Sequence, residues 1–323
     1  MAPGGVESKA LPMTRSLTSV FILVAALFAA GVGLAQYRSG GGGRGFRGGG
    51  DSGSMVRTEG GVVVDEDTVR TARETGSHST GTPNWTNSTP FEEDVFTFTR
   101  IIFKSRGMRG GGGGVGAWGW LNDYPDSDLN LSYRLQQLTS LKVDPDARVL
   151  KLTDPALMDY PFIYMVKPGN LEFSDEEVVR LRKYLLNGGA MVADDFWGED
   201  LWNNFEAQIK RILPGRNWSE LPMEHPLFHS VFDLRRARKD LQVPSIRRFD
   251  RETGLARLNS ETEEMHVRAW LDDRQRLMII AFHNSDNGDG WEREGEFAYF
   301  FEHFSEKIAY PLGINIIFYA MTH

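Results

Sequence analysis

The stretch that most restricts what this chain can fold into is Ser174 to Trp197, SDEEVVRLRKYLLNGGAMVADDFW. Ser174 with Glu177 three residues on is a capping box, so a helix starts there. Val178, Leu181, Leu185 and Leu186 recur at helical spacing. Gly188 and Gly189 stop the helix, since glycine enters the left-handed C-cap conformation at little cost. Ala190 to Ala193 is a short apolar run, as expected of a strand covered on both faces. Asp194 and Asp195 then stand at its carboxyl end, the edge at which open α/β sheets bind ligands.

The remaining chain repeats this alternation from Phe91 to Leu213. Val95 to Phe103 is β-branched and aromatic and predicts the first strand. Asn130 to Leu141 predicts a helix, with Leu131, Leu135 and Leu138 on one face. Arg148 to Leu152 and Pro161 to Val166 predict strands, and Asp200 to Ile212 an amphipathic helix ended by Pro214 and Gly215. Alternating strands and helices imply βαβ units and a mainly parallel central sheet. His266 to Leu271 and Arg276 to His283 read as a hairpin. Asn284 to Glu292 reads as a polar glycine loop. Phe297 to Ala309 and Ile314 to Met321 read as a broken or paired terminal helix, with Pro311 and Gly313 between.

Before this domain the composition changes. Arg15 precedes an almost wholly apolar run, Val20 to Leu34, and Gly33–Leu34–Ala35 is a small-x-small cleavage site. Residues 1–35 therefore read as a secretion signal, with Gln36 the first mature residue. Residues 36–90, with the glycine run 40–50, read as a disordered linker, and residues 91–323 as the α/β domain. Export without cysteine suits a periplasmic or envelope-associated bacterial protein.

Composition then removes classes of chemistry. The 323 residues contain no cysteine, which excludes disulfides, thiolate nucleophiles and cysteine-ligated metals. The net charge of −8 disfavours nucleic acid and anionic membrane as partners. Membrane contact is expected only through the signal segment, were it uncleaved. A second glycine cluster, Arg106 to Gly116, lacks the Lys-Ser/Thr of a phosphate loop. There is no GxSxG, no kinase set and no HExxH.

Four groups remain as candidates. Asp194 and Asp195, followed by Trp197, can hold a hard cation or split their pKa values for acid–base work, or Asp195 can cap the next helix. His225 and His229 are spaced as a helical metal pair, but Pro226 argues against a helix and for packed histidines. His283, Asn284, Asp286, Asp289 and Trp291 form a turn-rich segment after a buried strand; the EF-hand spacing is not met. In the segment Asp123 to Arg134, with Asp126, Asp128 and Tyr133, Arg134 can clamp an anion and the aromatics can stack on a sugar, or the acidic loop simply caps a helix. These residues assign no metal and no cofactor.

Four pieces of the chain carry a family resemblance: DYPDSDLNLSYRLQQLTSLKV, LTDPALMDYPFIYMVKPGNLEFSDEEVVRLRKYLLNGGAMVADDFWG, LPMEHPLFHSVFDL and HNSDNGDGWE. Together they resemble the bacterial domain-of-unknown-function family 4159, over about Phe91 to His323. The resemblance implies the class I glutamine amidotransferase-like superfold, a flavodoxin-like three-layer sandwich. That superfold's enzymes use a Cys-His-Glu triad, which a chain without cysteine cannot supply. The expectation is an exported protein that binds a small ligand or an envelope partner without catalysis. A cysteine-independent hydrolase, metal-assisted or not, and a structural part of an envelope assembly are the alternatives.

Overall fold

A computed structural model describes residues 55–79, 81–88, 94–106, 119–250, 252–253, 255–258 and 261–323. The expected secretion signal, the glycine run 40–50 and the glycine cluster beyond Arg106 lie outside these residues. All the described residues belong to one compact unit, Ser52–His323. Among them, no helix is long and apolar enough to cross a membrane.

The chain enters through a small hairpin, β1 (Met55–Arg57) with β2 (Val63–Asp65). The sheet strands that follow are β3 (Thr99–Ile102), β4 (Arg148–Lys151), β5 (Phe162–Val166), β6 (Ala190–Phe196) and β7 (Ser219–Glu220). After a second hairpin, β8 (Ala256–Leu258) with β9 (Glu261–Glu263), come β10 (His266–Leu271) and β11 (Leu277–His283). Seven of these form one sheet in the order β4-β3-β5-β6-β11-β10-β7. The first five run parallel, and β10 and β7 are added antiparallel at one edge. The expected mainly parallel α/β sheet is therefore present.

The helices follow the apolar spacing, with α1 (Asp126–Leu138) beginning four residues earlier than Asn130. For α2 (Asp175–Leu186), Ser174 and Glu177 form the capping box in both directions. α3 covers Gly198–Lys210. The glycine loop expected after His283 is instead a short helix, α4 (Asn287–Glu292), capped by the Asp286 side chain on the Asp289 amide. Helix, not loop, forms because the cap is local and Gly288 and Gly290 allow close packing. A Cβ at position 290 would lie 2.4 Å from the Ala309 Cβ. The terminal helix is continuous: α5 (Ala298–Phe300), a π-helical segment Phe301–Ala309 and α6 (Tyr310–Thr322). Pro311 and Gly313 do not break it: Ala309 and Tyr310 keep helical backbone angles, and Pro311 falls where the π-helical segment passes into α6, the kind of local widening that accommodates a proline.

The described part of the expected linker packs against the domain. Val64, Val69 and Ala72 join the hydrophobic core. The Val149 amide of β4 donates to the Arg70 carbonyl at 2.9 Å, and the Ala72 amide to the Asp146 carbonyl at 3.0 Å. The Trp85 indole donates to the Val143 carbonyl at 2.9 Å. Few apolar residues and many fixed hydrogen bonds hold this segment, which is why its composition resembles a linker.

Candidate functional site: a buried carboxylate cluster at the strand ends

Four parallel strands deliver side chains to one place. Beyond β3, the chain turns through Gly119–Leu121 and presents Asn122 and Asp123 just before α1. β5 is followed at once by Lys167. β6 ends with Asp194 and Asp195 inside it, and β11 leads into Asn284, Ser285 and Asp286. Asp123, Lys167, Asp195 and Asn284 all have positive φ, at 60°, 51°, 56° and 59°. For L residues this conformation costs about 1–2 kcal/mol each. Surroundings must hold it in place, and such residues cluster where function uses them.

The two adjacent aspartates divide their work. Ala193 pairs with Ala281 but Phe196 pairs with His283, so Asp194 and Asp195 together oppose Phe282. This is a β-bulge, which re-aims side chains at a strand end. Asp194 accepts from the Tyr164 hydroxyl (3.0 Å), the Asn287 amide (2.9 Å) and the Gly288 backbone N–H (3.1 Å). Asp195 faces the other way. It accepts from Asn122 Nδ2 (2.8 Å) and from the Trp197 indole (2.9 Å), with Lys167 Nζ at 3.3 Å. It does not cap α3, whose first residue follows Trp197 without a side-chain cap.

Around Asp195 the carboxylates converge. One oxygen each of Asp123, Asp195 and Asp286 lie within 4.8 Å of one another, and a second set joins Asp123 to Asp289 and Glu292. All five residues are buried. Asn122 ties the first set together: it donates to Asp123 Oδ1 (2.7 Å) as well as to Asp195, and accepts from Lys167 Nζ (2.9 Å). Lys167 keeps 32% of its side chain exposed and links the cluster to solvent.

The electrostatics follow from burial and crowding. Burial first, then the charges of Glu292, Asp289 and Asp195, hold the Asp123 carboxyl well above its usual pKa. Asp286 is raised likewise, by burial and then by Asp195 and Asp289. Burial raises Asp195, with Lys167 pulling it back. Asp194 is pushed up to about 7, by burial and then by the charge of Asp195. For Lys167, burial opposes the charge, but Asp195 and Asp123 outweigh it and raise the pKa. Such a group of acids cannot all be ionised without a further positive charge.

The other sequence candidates lie elsewhere or serve the framework. Asp128 takes Arg100 as a buried ion pair, with Arg100 Nε 2.8 Å from Oδ2. Asp126 accepts from Ser77 and from the His78 amide. Arg134 pairs with Glu294 and lies over the Tyr310 ring, so it is no free anion clamp. His225 accepts from the Leu227 amide within a single turn and packs on Tyr319, while His229 bonds the Glu224 carbonyl. Among the described residues no hydrogen bond or ion pair joins either histidine to the carboxylates. His283 is fully buried among Phe196, Trp202 and His266, with its pKa lowered to about 4 by burial. Trp291 packs against Phe98 and Tyr164 and donates to the Ala309 carbonyl. Asn284 pins the Gly198 amide and the Glu264 carbonyl. Of the sequence candidates, Asp194, Asp195, Asp286, Asp289 and Trp197 meet at the strand ends.

Asp123 and Glu292 bound segments singled out in the sequence but carried no role there, and Lys167 and His78 were passed over. Asp123 had a signal, the acidic run before α1. Lys167 had one in the Pro-Gly that follows it directly, marking a strand end.

The class this defines is a thiol-free α/β domain with an acidic cluster at the carboxyl edge of its parallel strands. The family model described as Domain of unknown function (DUF4159) matches residues 114–321, and the chain belongs to that family. No curated protein matches it.

Proposed function

We propose that this chain is an exported, periplasmic or envelope-associated protein whose α/β domain is a binding module. Its ligand is engaged around Asp123, Lys167, Asp195 and Asp286. The observation that supports this best is the convergence of four strand ends on one buried cluster, three of its side chains delivered from left-handed backbone. Export rests on the apolar run after Arg15, and a small ligand or an envelope protein, not nucleic acid, is the expected partner. The finer architecture we infer is flavodoxin-like and three-layered, akin to the class I glutamine amidotransferase-like superfold. In its favour, the five parallel strands, counted along the chain, stand in the order 2-1-3-4-5, which is the flavodoxin order.

A second reading, a cysteine-independent hydrolase, is favoured by one feature. Asp194 has a pKa near 7 beside an Asp195 in a different environment, the pattern that separates acid from base.

A thermal-shift panel of sugars, nucleotides, dicarboxylates and amino acids tests the binding reading. At least one class should raise the melting temperature of the wild type and fail with Asp195→Asn. A panel without any shift, or shifts that survive both Asp195→Asn and Asp286→Asn, overturns it. Turnover of generic ester, phosphoester or glycoside substrates that is lost in an Asp194→Ala/Asp195→Ala variant would establish the hydrolase instead.

A further inference from the structure

We infer that Asp123, Asp195 and Asp286 hold one divalent cation of the hard-oxygen class, Ca2+ or Mg2+. This deepens the binding reading above and rests on it.

The donor chemistry points that way first. The three oxygens lie within 4.8 Å of one another and no nitrogen or sulfur ligand is among them. Ca2+ bonds such oxygens at about 2.3–2.6 Å, and Mg2+ at about 2.1 Å with the set slightly closed. All-oxygen sites select these ions over zinc or copper.

A second observation is independent of the clustering. Asp123 Oδ2 is buried and has no hydrogen-bond partner, and Asp123 as a whole is 1% exposed. A carboxylate oxygen left bare in the interior is costly, whereas all four carboxylate oxygens of neighbouring Asp194 and Asp195 have a donor. That oxygen sits against Gly288, where a Cβ would lie 2.1 Å from it, so only glycine leaves it room there.

Charge separates this set from the others. Glu292, in the second set and in a further group with Glu59 and His78, already meets Arg293 Nε at 2.6 Å and His78 Nε2 at 2.5 Å. Against the three carboxylates of the first set the contacting cation is Lys167, 3.3 Å from Asp195, while Arg100 and Arg293 act on Asp123 only at longer range. A divalent ion supplies the missing charge. Its positions not filled by protein take water or an oxygen of the ligand. The three donors come from separate strand ends, so no linear motif records them.

The test uses the full chain stripped with EDTA. Calcium, magnesium and manganese chlorides are added separately, with potassium chloride as the control, while the melting temperature and the heat of binding are followed. Terbium serves as a luminescent probe, because the Trp197 indole is bonded to Asp195 and is placed to sensitise it. Saturable one-to-one binding is expected, with terbium emission displaced by calcium. Affinity should fall at least tenfold in Asp123→Asn and in Asp286→Asn, and stay unchanged in Asp175→Asn, on the exposed start of α2. Absence of saturable binding to the wild type overturns the proposal, as does binding that both cluster variants keep. Should a cluster variant fail to fold, the wild-type titration and the calcium–terbium competition decide alone. If compounds still give Asp195-dependent shifts in EDTA, the cation is overturned and the binding reading stands. If neither cations nor compounds bind, both fall.

Discussion

His78 Nε2 lies 2.5 Å from Glu292 Oε1 across 214 residues of chain, and its Nδ1 lies 2.9 Å from Asp126 Oδ2. One imidazole thus fastens the amino-terminal segment to α1 and α4 together. Asp126 and Glu292 raise its pKa to about 10 against the opposing effect of burial. Glu59 also stands close, and Arg293 faces Glu292 from the far side.

The sign of the resulting pH dependence is fixed. The folded pKa lies above the unfolded value of about 6.5, so the contribution is complete below about pH 6.5. It is lost as pH rises through about 10. His78→Ala should cost on the order of 3 kcal/mol at pH 7, since it takes the shared cation from two buried carboxylates, leaving Glu292 to Arg293 and Asp126 to Ser77 and the backbone amide of residue 78. Urea unfolding at pH 6, 8 and 10 should show the wild type converging on the variant as pH rises. Parallel curves across that range would contradict the tether.

Arg100 and Asp128 give a second prediction. Arg100 is wholly buried and donates to Asp128, to Ser127 Oγ, and to the carbonyls of Trp120 and Asn122 at 2.8 and 2.9 Å. The same side chain therefore neutralises Asp128 in the first turn of α1 and sets the loop that carries Asp123. Asp128→Ala strands a buried guanidinium and should cost about 3–5 kcal/mol. Replacing both partners, as Arg100→Met/Asp128→Leu, should cost less than the single change. Denaturant midpoints of the wild type and the two variants check the ordering.

The helix start at Ser174 was legible from four residues, and it supplies a clean third prediction. Ser174→Ala removes the acceptor of the Glu177 amide and should cost about 1 kcal/mol. A loss within 0.3 kcal/mol of zero by chemical denaturation would mean that the cap contributes nothing measurable.

What could be read from the sequence was local. The capping box, the Gly-Gly stop and the apolar runs of β5 and β6 each depend on neighbours in the chain. Asp123 and Lys167 were hidden because they reach Asp195 only through left-handed backbone and through strands brought side by side by the fold. β6 runs on past Ala193 to Phe196 because the bulge absorbs the extra residue, which no propensity records. α4 was read as a loop because two glycines weaken a helix in isolation; here both make room for close neighbours instead.

Those glycines allow the site to be separated from the packing. A Cβ at 288 would meet Asp123 Oδ2 at 2.1 Å and the Tyr164 hydroxyl at 3.3 Å, whereas one at 290 would meet Ala309 and Val243. Both Gly288→Ala and Gly290→Ala overfill a tight space, and each should cost about 1–3 kcal/mol. Only the first displaces a carboxylate of the cluster. Gly290→Ala should therefore melt earlier yet keep the full stabilisation by calcium or magnesium, while Gly288→Ala should melt earlier and lose it. Equal cation responses in the two variants would show that Asp123 does not take part, because the disturbance at 288 falls on that side chain and the one at 290 does not.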